Sequence, residues 1–227
     1  MKLFLFLFMI APACFGAPLV LEKGKDFYEL GLHLELFEDP SGKLSIDEVE
    51  GKEFYPSREK VPNFGFSRSV FWGRVTVLNK LKKRDWFLSY NYVTQDYVTF
   101  FKKVGGKWIF EEMGDNKNFS ERKYKIRPFV FEASKNEREV YYIRVSGNPT
   151  QFDLSFLTKE KMLLMEGESN VKLSLFFGIV ITMVLYNVFF FFFTKKYKLF
   201  LLYFLCRFFW AFSWRPKRFN TKIFFHG

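Results

Sequence analysis

The sequence predicts an all-β domain, an antiparallel jelly roll or β-sandwich, followed by a transmembrane α-helix. Three observations carry this. Between Leu30 and Phe156 apolar residues recur with period two, the signature of half-buried strands. The strand-like runs are short and separated by Gly and Asn turns, which favours two packed antiparallel sheets. From Leu173 to Phe193 there is then no charge at all, and such a run spans roughly 31 Å as a helix, the thickness of a bilayer core.

Taken in order, the chain starts with Lys2 and an apolar run, Leu3 to Ile10, too short to cross a membrane. Small residues at Ala13, Gly16 and Ala17 mark residues 1–16 as a signal peptide cleaved near Gly16. Ala11-Pro12-Ala13-Cys14 is a loose lipobox, disfavoured by its Pro and missing Leu.

Residues 17–157 form the predicted sandwich. Leu30, Leu32, Leu34 and Leu36 read as one face of a strand, with Gly31, His33 and Glu35 opposite. Phe71, Gly73, Val75 and Val77 alternate with Trp72, Arg74 and Thr76. Trp86, Leu88 and Tyr90 alternate with Phe87, Ser89 and Asn91. Val98 and Phe100 follow Asp96, and Tyr141, Ile143 and Val145 alternate with Tyr142 and Arg144. Gly105-Gly106 predicts a hairpin turn, because paired glycines supply positive φ. Ser45 with Glu48 three residues on is a capping box that starts a short helix stopped by Gly51. Thr158 caps a second helical run, the juxtamembrane segment 158–172, which feeds the span at 173–193.

The charge of +11 is a topology signal. All 24 acidic residues lie between Glu22 and Glu168, balanced there by 25 Lys and Arg. From Val171 onward nine basic residues meet no acid, and Lys195, Lys196 and Lys198 sit directly after the span. This places the sandwich outside and the basic loop inside, and removes the main support for nucleic-acid binding. Cys14 and Cys206 both fall outside the sandwich, so it contains no disulfide and no Cys-based zinc site. His33 and His226 flank the span on opposite sides, against a His metal cluster. The sequence calls for no cofactor. An exported domain without disulfides favours a bacterial envelope: the inner membrane, with the N-terminal domain in the periplasm.

Leu36-Phe37-Glu38-Asp39-Pro40-Ser41-Gly42-Lys43-Leu44-Ser45-Ile46-Asp47-Glu48-Val49 resembles the opening of the second type of extracellular domain of bacterial seven-transmembrane receptors with diverse intracellular signalling modules. The resemblance continues through Asn63-Phe64-Gly65-Phe66-Ser67, Val70 to Asn79, Asp96-Tyr97-Val98, Gly114-Asp115, Phe119-Ser120-Glu121-Arg122, Arg127-Pro128-Phe129-Val130-Phe131 and Tyr142-Ile143-Arg144-Val145. Phe177-Gly178-Ile179 and Leu185-Tyr186-Asn187 are similar to the family's first transmembrane helix. Membership implies a periplasmic jelly roll akin to carbohydrate-binding modules that senses a ligand and signals through seven helices to a cytoplasmic output. Here a second apolar segment, 199–214, is short and interrupted by Arg207, and 215–227 is a basic tail. The expectation is a receptor truncated or frameshifted before its remaining helices and output domain.

With Phe71, Val75, Leu88 and Ile143 in the core, the opposite faces carry Trp72, Arg74, Asn91, Tyr142 and Arg144. Rings with polar neighbours suit a carbohydrate or other small ligand, and these five are the candidate binding residues. The alternative, more usual in a chain with 22% aromatic residues, buries Trp72 and Tyr142 against a sheet or under a loop. Arg127 and Asp96 are either a ligand clamp or a structural pair. Asp96, Asp115, Glu121 and Glu132 are the carboxylates a glycosidase would draw on, but no spacing pairs them, and no nucleophile elbow, P-loop or zinc motif is present, so no enzyme activity is expected. Asn118-Phe119-Ser120 is a chance-level sequon. Asn187 suits a hydrogen bond to another transmembrane helix. The expected partners are thus the ligand, the lipid bilayer, and other transmembrane helices or a second receptor copy. A stand-alone tethered carbohydrate-binding module and an envelope glycoside hydrolase are the competing readings.

Overall fold

The computed structural model describes residues 16–81, 85–133, 136–194 and 207. Apart from Gly16 and Arg207, the signal peptide 1–16, the partial span 199–214 and the basic tail lie outside these residues. The chain divides into two compact units, Met1–Glu166 and Gly167–Gly227.

The first unit is the β domain. Its strands are Leu19–Val20 (β1), Phe27–Glu29 (β2), Glu35–Asp39 (β3), Tyr55–Pro56 (β4), Asn63–Gly65 (β5), Val70–Leu78 (β6), Trp86–Tyr90 (β7), Tyr97–Val104 (β8), Lys107–Met113 (β9), Phe129–Glu132 (β10), Arg138–Ser146 (β11), Thr150–Gln151 (β12) and Leu154–Thr158 (β13). A seven-stranded sheet runs β4-β3-β6-β11-β8-β9, with β1 added in parallel to β6. A four-stranded sheet runs β10-β7-β13-β2, and β5 pairs with β12.

The alternation seen in the sequence sets the inner faces. Phe71, Val75, Val77, Phe100, Tyr141, Ile143 and Val145 from the large sheet meet Trp86, Leu88, Tyr90, Phe131 and Phe156 from the small one in a single buried cluster. Rings close the gap between sheets: Phe100 lies 5.0 Å from Phe131, and Tyr141 lies 6.3 Å from Phe156. Each fully buried aromatic of this kind contributes on the order of 2–3 kcal/mol through lost water contact. The β8–β9 hairpin turns at Gly105 and Gly106, whose φ of 59° and 79° are those of a type I′ turn.

Two expectations change. Leu30 to Leu36 is not one strand: Gly31–His33 is a 3-10 turn, closed by the His33 N–H donating to the Leu30 carbonyl at 2.8 Å, and β3 starts only at Glu35. Leu32 therefore points to solvent, 51% exposed, while Leu30 and Leu34 are buried. Second, the outer face of the large sheet is not open. The short helix Ile46–Glu50 (α1) and Phe54 fold across it, so Val49, Phe54, Val70, Trp72, Phe101 and Tyr142 form a second buried cluster. The capping residues of α1 are those expected, with the Ser45 N–H and hydroxyl both donating to the Glu48 carboxylate at 2.8 Å.

A third cluster, Phe87, Val130, Leu157 and Met162, covers the outer face of the small sheet. Met162 comes from the long helix Lys159–Thr194 (α2), whose first turn is capped by Thr158 Oγ1, accepting from the Lys161 N–H at 3.3 Å. The second unit begins within this helix. There its large apolar residues, among them Leu175, Phe177, Ile179 and Leu185, are exposed. It is long and apolar enough to cross a membrane.

Candidate ligand groove

Trp72, Arg74, Tyr142 and Arg144 do come together, on the outer face of β6 and β11, but as the seat of the segment that crosses them. Trp72 is fully buried and stacks on Phe101 at 5.5 Å. Tyr142 meets Phe54 and Trp108 edge-on at 5.9 and 5.4 Å. Neither ring keeps a free face for stacking a sugar. Arg74 donates from Nε to Glu35 Oε2 at 2.6 Å, lies 4.4 Å over the Phe54 ring and bonds to Tyr142. Burial works against its charge, yet the bonds to Glu35 and Tyr142 outweigh it and raise the guanidinium pKa. Burial likewise pushes the Tyr142 phenol up, with Arg74 opposing.

Arg144 sits 5.9 Å over Trp72 and donates to the Gly42 carbonyl at 3.0 Å. That bond ties down the turn Asp39-Pro40-Ser41-Gly42. The turn is organised by the Asp39 carboxylate, which accepts from the Ser41 N–H and hydroxyl and from the Gly42 and Leu44 N–H groups. Burial raises the Asp39 pKa, but these bonds prevail and lower it. Asn91 lies elsewhere, following β7 in the small sheet, where its amide donates to Asp153 at 3.0 Å and Ser155 at 3.3 Å. The five residues therefore do not share one site.

The remaining candidates are dispersed. Asp96 accepts from the Asn148 N–H at 3.3 Å, a bond between two loops, while Arg127 is exposed and lends its carbonyl to Arg122. Glu121 accepts from Asn118 at 2.9 Å. Glu132 pairs with Lys123 at 2.6 Å and accepts from Tyr124, and these two bonds lower its pKa. Asp115 is exposed. Among the described residues no group of three or more His, Cys, Asp or Glu could hold a metal. In the helix, Asn187 donates to the Met183 carbonyl at 2.7 Å, within its own helix.

A different part of the domain offers a concave surface. A groove of roughly 480 Å³, within the range of small-molecule sites, lies between β3, β4, β5 and the 57–62 segment. Its floor is apolar. Phe64 stacks on Phe71 at 4.0 Å and 17°, and meets Phe152 edge-on at 6.1 Å. Its rim carries the Tyr55 ring, 66% exposed, with the exposed polar groups of Glu38, Arg58, Glu59 and Asn63. An open aromatic face among charged and amide groups can stack on an apolar ring face and bond to hydroxyls.

Local rules hold this rim in place. Pro56 lacks an N–H, so β4 stops after two residues as an edge strand. The Ser57 N–H then donates to the Leu34 carbonyl at 2.8 Å, and the Ser57 hydroxyl exchanges bonds with Glu59. The 57–62 segment approaches Gly31 so closely that a Cβ there would lie 1.8 Å from the Lys60 carbonyl oxygen. The groove was missed in the sequence because its residues belong to no alternation. The available signal was Tyr55-Pro56 and Pro62 bracketing a polar stretch, a pattern of edges and turns.

Among proteins of curated description, none matches the chain. The model of the family described as 7TMR-DISM extracellular 2 matches residues 31–158, from the Gly31 contact through the last strand. That match takes in every strand from β3 to β13, the Asp39 turn and the groove, and it ends where α2 begins. The chain belongs to the 7TMR-DISM extracellular 2 family and carries the sensory, extracellular domain of that receptor class.

Proposed function

We propose that the domain senses a carbohydrate or other small ligand, and that the ligand binds in the groove beside Tyr55. The observation that carries this is the exposed Tyr55 ring above an apolar floor, rimmed by Glu38, Arg58, Glu59 and Asn63. An aromatic face left in water beside a groove has no packing role, in contrast to Trp72 and Tyr142. The protein is anchored by α2 in a bacterial inner membrane, with the sensor on the periplasmic side, as the charge distribution favours. The domain acts by binding and passes its occupancy on through the membrane region, without catalysis of its own. Trp72, Arg74, Tyr142 and Arg144 hold the Asp39–Phe54 segment on the sheet, and so act on the groove only through β3 and β4.

The test is a thermal-shift screen of the full chain in detergent against neutral, acidic and amino sugars and small organic acids, beside a Tyr55→Ala variant. A ligand present at 100 times its Kd stabilises the folded state by about 2.7 kcal/mol. The expected result is a raised Tm with the native chain and none with Tyr55→Ala. An equal shift in both would place the site elsewhere, and no shift with any probe would remove small sugars and acids as ligands.

A further inference from the structure

The outer edge of β9 is a second surface with a partner still to find. The described sheet edges are otherwise blunted: β4 is two residues long and contains Pro56, β2 has three residues and β10 four. β9 differs. It is a seven-residue strand without Pro or Gly, pairs in unbroken register with β8, and among the described residues pairs with nothing on its other side. It also exposes Ile109 (48%) and Phe110 (65%). A long edge of this kind, unbroken by Pro or bulge and carrying two exposed apolar side chains, is a template for another strand.

The turn decides which groups that edge presents. Val104 and Lys107 close the two-residue Gly105-Gly106 turn as a bonded pair, so the N–H and C=O groups of Lys107, Ile109 and Glu111 point back to β8. Those of Trp108 and Phe110 point outward. A two-fold axis through Ile109 then sets Trp108 of each copy opposite Phe110 of the other, with their outward groups exchanging both backbone bonds. Ile109 faces Ile109 at the axis, in a close non-bonded pair. In the same register Lys107 falls opposite Glu111, twice. Among the described residues neither forms a salt bridge within the monomer. Apolar contact, backbone bonding and charge thus agree in one register. Moving the axis to Phe110 sets Ile109 against Glu111 and Lys107 against Met113, and loses the charge match.

We propose that β9 pairs antiparallel with β9 of a second copy of this chain, about a two-fold axis through Ile109, joining two sensor domains through one extended sheet. A self-complementary edge suits the isologous contacts of a two-fold dimer. One strand pair buries little area, so the contact depends on both copies being tethered to one membrane, which raises their effective concentration.

The test uses the full chain in membranes of the expression host, with Cys14→Ser and Cys206→Ser as background. Ile109→Cys should give a disulfide-linked dimer on mild oxidation, several-fold more than Phe110→Cys or the exposed control Tyr55→Cys. Adding Lys107→Glu or Glu111→Lys singly should reduce that crosslink, and the two together should restore it. A crosslink at Ile109→Cys no greater than at Tyr55→Cys would overturn the pairing. A maximum at Phe110→Cys, failure of the double charge swap to restore the dimer, or a crosslink to a different protein would overturn the register or the occupant.

Discussion

Removing the Glu35 carboxylate probes the covered face of the large sheet most sharply. Its partner Arg74 keeps only 16% of its side chain exposed, and Glu35 keeps 7%. With Glu35→Ala the guanidinium loses its 2.6 Å partner but stays wedged between Phe54 and Tyr142, so its charge is left largely out of water. Breaking a buried pair from one side costs about 3–5 kcal/mol, and the small residual access of Arg74 puts this case at the lower end, about 3 kcal/mol. For a domain of this size about 3 °C of Tm accompanies each kcal/mol, so Tm should fall by about 10 °C. Urea unfolding followed by tryptophan fluorescence measures the change. Replacing both partners, Glu35→Leu with Arg74→Met, should recover most of the loss, because no charge then remains to be solvated. A Glu35→Ala cost below about 1 kcal/mol, the range of surface pairs, would refute the covered-face description.

Three further outcomes follow from the same geometry. Trp72→Ala should destabilise the domain by about 3–5 kcal/mol in denaturant titration, the cost of a large cavity, whereas a stable variant would mean the ring is not a core residue. Asp39 binds its proton less readily folded than unfolded, so its carboxylate contributes stability above the ordinary Asp pKa and loses it as pH falls through the lower folded value. Native stability should therefore drop below about pH 4, and the drop should be shallower in Asp39→Asn, as measured by urea midpoints across pH. Gly31→Ala should push the 57–62 segment outward, since the clash is with the Lys60 and Glu59 backbone, and weaken any ligand found for the groove.

The alternation in the sequence located β6, β7, β8 and β11, and the Gly-Gly turn and the Ser45–Glu48 box both form as read. These features are local: two or four neighbouring residues decide them. The Leu30–Leu36 run failed for a non-local reason. Gly31 admits the Lys60 backbone, and Leu30 donates its N–H to Leu154, so the chain turns there before β3 can start. The face opposite Phe71 and Ile143 was ambiguous for the same reason. A period of two separates Trp72 and Tyr142 from the core side, but it does not say that Val49 and Phe54 will cover them. Arg74 and Arg144 read as ligand groups because their partners, Glu35 and the Gly42 carbonyl, are distant in sequence. The groove was the least legible feature. It is made of an edge strand, a proline and a turn, none of which has a period.

A sensor domain outside the membrane, with Tyr55 open beside its groove, leaves position 55 within reach of a reagent on the outer side. Labelling a Tyr55→Cys chain, with Cys14→Ser and Cys206→Ser, by a membrane-impermeant maleimide on intact spheroplasts tests this directly. Full labelling before lysis is the predicted result. Labelling that appears only after lysis would put the domain on the wrong side of the membrane, and none even after lysis would mean the Tyr55 position is closed.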